Sequence, residues 1–186
     1  MMDEARFWSL IAGAWPTMEQ AITLRQMVFT GKLEDSDDLY RIQKQMIGNL
    51  TDALNHLDAD ELLTFDRILE RKLYDIDRAD SHEHTDGSDD GFLYCRGFIV
   101  SMGQEYYDLV KADPSHALMD VEFEEFCYHP HWLYEEQYGS MSPSDISRET
   151  GSNPNRMGRV DRTRDGDAAE HAHAADRLRR ARSLLF

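Results

Sequence analysis

The chain has 186 residues, 36 Asp and Glu against 20 Lys and Arg, and a formal net charge of −16. That sign repels phosphates, so neither nucleic acid nor an anionic membrane is an expected partner, whereas it suits solubility, a basic protein partner or metal cations. No apolar run approaches the ~18 residues of a membrane span. The N-terminal MMDEARFWSL has acids where a secretion signal needs bases. Cys95 and Cys127 stand among apolar residues and read as buried thiols of a reducing compartment, so the expected location is the cytoplasm.

The predicted elements are helices. Residues 3–15 place Phe7, Leu10, Ile11 and Ala14 on one stripe that ends at Pro16. Residues 17–29 carry Met18, Ile22, Arg25 and Phe29 and end at Gly31. From 36 to 57 the stripe is Leu39, Ile42, Met46, Leu50, Leu54 and Leu57. Asp58 caps the next helix, with Glu61 three residues on, and 58–76 carries Leu62, Phe65, Leu69, Leu73 and Ile76. Residues 77–87 are polar and read as a loop. Ser88 caps a central helix with Asp89 and Asp90 in its first turn, running from about 88 to 111. The segment 121–138 suits a helix that Pro130 kinks or splits.

The charge is uneven. Residues 1–139 hold 11 bases and 29 acids, which is −18, and 140–186 hold 9 arginines and 7 acids, which is +2. From Gly139 the chain turns rich in Ser, Asn, Gly, Arg and Asp, a composition that predicts disorder. Residues 167–186 can form a short helix with Ala174, Leu178, Ala181 and Leu185 on one face. The expected architecture is an all-α, single-domain multi-helix bundle over 1–139 around the buried central helix, followed by a flexible tail over 140–186.

The central helix raises a question of charge. Phe92 to Met102 is apolar on nearly all sides, as in a helix surrounded by others. Gly91, Gly97 and Gly103 are each about 120° from the others around the axis, which predicts crowding by several neighbours. Arg96 is the one charge there, and its neighbours one turn away are Phe92, Leu93, Ile99 and Val100. A buried guanidinium needs a partner, so another element must supply it. Asp66, on the stripe of Leu62, Leu69 and Leu73, is the first candidate; Asp75, Glu124 and Glu125 are the alternatives. One reading is a structural ion pair that fixes helix register. The other is a polar centre of Asp66, Asp75, Asp89, Asp90 and Arg96, in which a carboxyl acts as general acid or base and Arg96 holds an anionic substrate.

RFWSLI at 6–11, LLTFDRIL at 62–69, LYDI at 73–76, SDDGFLYCRGFIVSMGQEYY at 88–107 and EFEEF at 122–126 resemble the bacterial domain-of-unknown-function family 4240 over roughly 3–139. The most specific motif is SDDGF followed by Tyr-x-Arg-Gly-aromatic. The resemblance implies no established reaction, cofactor or catalytic residue. Members usually carry Trp-Asp-x-Trp, an apolar run and Gly-Gly-Cys before SDDGF. Here that interval is YDIDRADSHEHTDG, which keeps the acid as Asp75 and lacks the rest.

Other motifs point less far. DGSDDG at 86–91 imitates the start of a calcium loop through Asp86, Ser88, Asp90 and Gly91, but the twelfth position is Gly97 where a bidentate Glu is needed. Three His-x-His pairs occur. His82 and His84 sit near Glu83 and Asp86, and His129 and His131 near Cys127, as candidate zinc or nickel ligands. His171 and His173 lie in the tail and read as solvated. There is no G-x-S-x-G, P-loop, H-E-x-x-H or dinucleotide fingerprint. No cofactor is expected, and the function expected is a non-enzymatic binding or regulatory module with a protein partner.

Overall fold

The computed structural model describes residues 1–33 and 37–154. The expected tail helix at 167–186, with His171 and His173, lies outside them. The described residues form α1 (Glu4–Ala14), α2 (Glu19–Phe29), α3 (Asp37–Leu54), α4 (Ala59–Asp75), α5 (Ala79–His82), α6 (Asp89–Ser101), α7 (Gln104–Ala112), a 3-10 turn (Pro114–His116) and α8 (Glu124–Tyr138). The fold is an all-α bundle, with no strand among the described residues.

The helix starts follow the capping residues. Asp3, Asp58 and Ser88 each accept the backbone N–H three residues on, from Arg6, Glu61 and Gly91. Helix α6 lies at the centre, packed on α4, α7 and α8, while α4 also packs on α8 and α1 on α3. Ten of its 13 residues are buried, which is why its sequence shows no polar face. The stripe of α3 is buried as expected through Ile42, Met46, Leu50 and Leu54.

Four expectations about the helices are corrected. The single helix over 88–111 is two, because Gly103 adopts φ +98 and caps the start of α7. That is left-handed backbone that a residue with a side chain adopts only under strain. The stripe on α2 is shifted: Ala21, Leu24 and Val28 face the core, and Ile22 is 50% exposed. The loop at 77–87 contains the one-turn α5. Of the kink or split expected at Pro130, the split does not occur: Pro130 sits buried inside a helix that runs through it.

The largest correction concerns the C-terminal side of Gly139. Residues 140–154, expected to be disordered, lie back across α4, α6 and α8 as a strap. Arg148 and Asn153 are buried in it, and Ser142 O accepts from Arg67. Composition failed here because the strap is held by polar bonds that leave no apolar pattern in the sequence.

Candidate functional site

The polar centre is built from the end of α4 inward. Helix α4 finishes at Asp75, so its last carbonyls have no partner within the helix. Three side chains from elsewhere supply donors. Tyr107 Oη–H donates to Lys72 O at 3.3 Å, Arg96 Nη1 to Leu73 O at 2.8 Å, and Asn153 Nδ2 to Tyr74 O at 3.0 Å. The negative end of the helix dipole therefore faces the Arg96 guanidinium.

Arg96 is fully buried. Its Nη2 donates to Thr150 Oγ1 at 3.0 Å, and its Cζ lies 4.7 Å from the Phe92 ring centroid. Burial pushes the guanidinium down from its ordinary value, and the carboxylate of Asp77 opposes that shift. No carboxylate among the described residues lies within 4.0 Å of it. Asp66, the expected partner, is instead claimed by the strap: Arg148 Nη2 donates to Asp66 Oδ2 at 2.8 Å, and Nη1 donates to Cys127 O. Burial works against the Arg148 charge, but Asp66 and Glu70 outweigh it and raise its pKa. Glu70 lies 3.9 Å from Arg148 and 3.1 Å from Arg67.

Asp77, fully buried just beyond α4, accepts the backbone N–H of Gly151 at 3.1 Å and of Asn153 at 3.0 Å. Thr150 Oγ–H donates to Asp89 O at 2.6 Å, and Tyr128 Oη–H to Glu149 at 3.2 Å. Two atoms in this layer stay buried without a partner, Asp66 Oδ1 and Arg96 Nε. The five expected members of the centre do not converge. Asp66 and Arg96 lie beneath the strap, Asp75 pairs with Lys111 at 2.9 Å, and Asp89 and Asp90 stand in the first turn of α6, where the Asp89 carbonyl accepts from Thr150. Of the alternative partners, Glu125 pairs with Lys44 at 2.7 Å and Glu124 lies beside the Tyr94 phenol.

The comparisons with known proteins bear on where this centre begins and ends. The model of a family described as "Protein of unknown function (DUF4240)" matches residues 2–142. The chain belongs to this family. No curated protein and no solved structure matched the chain. The DUF4240 match contains Asp66, Glu70, Asp77 and Arg96, and it stops before Arg148, Thr150 and Asn153. The groups that complete the buried charges of the DUF4240 domain thus come from chain beyond the match.

The remaining candidates scatter. Asp86 Oδ1 accepts from the N–H and hydroxyl of Ser88 and closes a turn before α6. His82 stacks on Phe92 at 4.4 Å with Nε2 buried and unpartnered, and His84 is exposed. His129 Nε2 is 2.7 Å from Thr51 Oγ1, His131 is 3.6 Å from Glu135, and the Cys127 thiol donates to Leu93 O at 3.5 Å. No three His, Cys, Asp or Glu side chains among the described residues are placed to hold a metal ion. The functional residues that sequence reasoning missed are Asp77, Arg148, Thr150 and Asn153. Asp77 carries one usable signal, an acid directly after Ile76 at the end of a core stripe.

Two clefts open elsewhere. One, about 330 Å³, lies between α4 and the strap, lined by Arg67, Arg71, Lys72 and Asp145. The other, about 480 Å³, lies under Trp15 and Phe29 with Arg25 and Glu105. Neither is lined by Asp66 or Arg96. No helix among the described residues is long and apolar enough to cross a membrane.

Proposed function

We propose that this protein is a non-enzymatic binding or regulatory module of the bacterial cytoplasm whose partner is a basic protein. The observation that carries this reading is the sealing of the charged centre. Asp66 and Arg96, the residues best suited to acid–base work or to holding an anion, are both 0% exposed and bonded to strap and helix. A catalytic group must reach its substrate, so with the strap in place these aspartates and Arg96 do not support the alternative of a small enzyme. The excess negative charge lies outside, at exposed residues such as Asp52, Asp108, Glu135 and Glu136. Most bases of the body are spent internally, as in Lys72 with Glu4, Lys111 with Asp75 and Arg78 with Asp80. A surface so biased attracts a cationic partner at long range and loses it as salt screens the field.

The test is affinity capture on the immobilised full-length protein. A specific partner of high isoelectric point is expected at low salt and is released by high salt. Recovery of no specific partner at low salt would overturn the reading.

A further inference from the structure

The strap makes the contacts a bound peptide makes. It offers a guanidinium to Asp66 and Glu70, a hydroxyl to Arg96, the backbone N–H donors of Gly151 and Asn153 to Asp77 and a carboxamide to Tyr74 O. It has no apolar anchor: the buried residues of 140–154 are Arg148 and Asn153. The receptor residues all lie within the family match, and Arg148, Thr150, Gly151 and Asn153, which bond to Asp66, Arg96, Asp77 and Tyr74, lie outside it.

We propose that the groove between α4, α6 and α8 is a peptide-recognition site, filled here by residues 147–153, which takes an arginine-bearing segment of a partner protein when the strap is displaced. The charge count sets the chemistry. Without the strap, the groove's inner charges are Asp66, Glu70 and Asp77 against Arg67 and Arg96, three negative and two positive. Asp66 and Glu70 lack a cation, and Arg148 is the cation the strap brings to them, while the strap's one acid here, Glu149, accepts from the Tyr128 hydroxyl instead. A guanidinium suits the place better than an ammonium, because its planar fork reaches Asp66 and the Cys127 carbonyl together. The strap also leaves Asp66 Oδ1 and Arg96 Nε unfilled, so a segment with one more donor or acceptor can outcompete it. The strap's only buried side chains are polar, Arg148 and Asn153, and so few apolar contacts place it at the low-stability end of the fold. The inference rests on the reading of a basic partner only for the partner's charge.

The experiment uses the full chain. A fluorescent peptide of residues 144–154 is titrated into wild type and into the Arg148→Ala chain, with anisotropy as readout and circular dichroism to verify folding. The Arg148→Ala chain is expected to bind the peptide at least tenfold more tightly than wild type, whose own strap competes. A peptide carrying Arg148→Ala is expected to bind neither. A folded Arg148→Ala chain that ignores the peptide, or that binds both peptides alike, overturns the proposal. If that chain fails to fold, hydrogen exchange of wild type decides. The amides of Gly151 and Asn153 are expected to exchange at least a hundredfold faster than those at the centres of α4 and α6; equal protection makes the strap inseparable from the body and ends the proposal. A strap-exchanged dimer in sedimentation would assign the groove to a second copy and overturn the partner. Capture of a basic protein with the peptide result negative sinks this site and leaves the acidic-surface reading standing.

Discussion

Replacing Arg148 by Met removes the bonded cation from a fully buried carboxylate and leaves it only Arg67, at 4.0 Å. Asp66 is 0% exposed, and its second oxygen already lacks a partner. Removing one partner of a buried pair typically costs about 3–5 kcal/mol, because the remaining charge stays desolvated. The Cys127 carbonyl loses its Arg148 donor in the same step. The loss has a ceiling. If the strap lifts, water reaches Asp66, and the destabilisation stops at the free energy with which the strap docks. That docking free energy is measured independently by exchange of the Gly151 and Asn153 amides in wild type. Chemical denaturation of Arg148→Met should therefore show a loss of several kcal/mol that does not exceed the strap's own opening free energy. The double variant Asp66→Leu/Arg148→Met should recover most of it, since apolar replacement of a buried pair is often neutral. A loss below about 1 kcal/mol, with the strap amides as protected as the core, would refute the reasoning, because a buried carboxylate cannot lose its cation without cost.

Arg96→Met should cost less than Arg148→Met, about 1–3 kcal/mol, since it strands the Leu73 carbonyl but orphans no carboxylate within 4.0 Å; denaturation of the two variants side by side checks the order. Gly97→Ala should destabilise by roughly 1–3 kcal/mol despite its better helix propensity. A Cβ there would meet Cys127 Sγ and lie 2.9 Å from Phe123 O, so an unchanged melting temperature would contradict the close approach of α6 and α8. Burial pushes the thiols of Cys95 and Cys127 up to about 12. Both should therefore resist a thiol reagent at pH 8 until the protein unfolds, and fast labelling of native protein would show the α6–α8 interface to be open.

Much of the bundle was legible because apolar periodicity and caps act locally. The stripe of α3 and the caps at Asp58 and Ser88 are set by residues within one turn. Burial of Arg96 was legible too, since no polar face existed for it to join. Its partner was not. The answer combines the carbonyl end of α4 with a threonine 54 residues away, and neither a carbonyl nor a hydroxyl marks a sequence as a counter-charge. Asp66 was rightly placed in the core by its stripe, but its cation sits 82 residues on, in a segment whose composition argues against order. Polar docking has no period to read. The break at Gly103 was hidden for a related reason: the apolar run continues past it, and only the backbone angle there separates α6 from α7.

The strap also sets an order of events during synthesis. Asp66, Glu70, Asp77 and Arg96 are made before Arg148, which follows Arg96 by 52 residues. At the usual pace of about 5–20 residues per second, translation of that interval takes about 3–10 s. Through that time the emerging body holds its charges without the segment that closes over them. The last turn of α4 then lacks the donor of Asn153, and Asp66 remains open to water. Completion of the fold is thus tied to arrival of residues 147–153 at the ribosome's exit, and a nascent chain halted before them would keep its acidic groove open to any arginine-bearing peptide nearby.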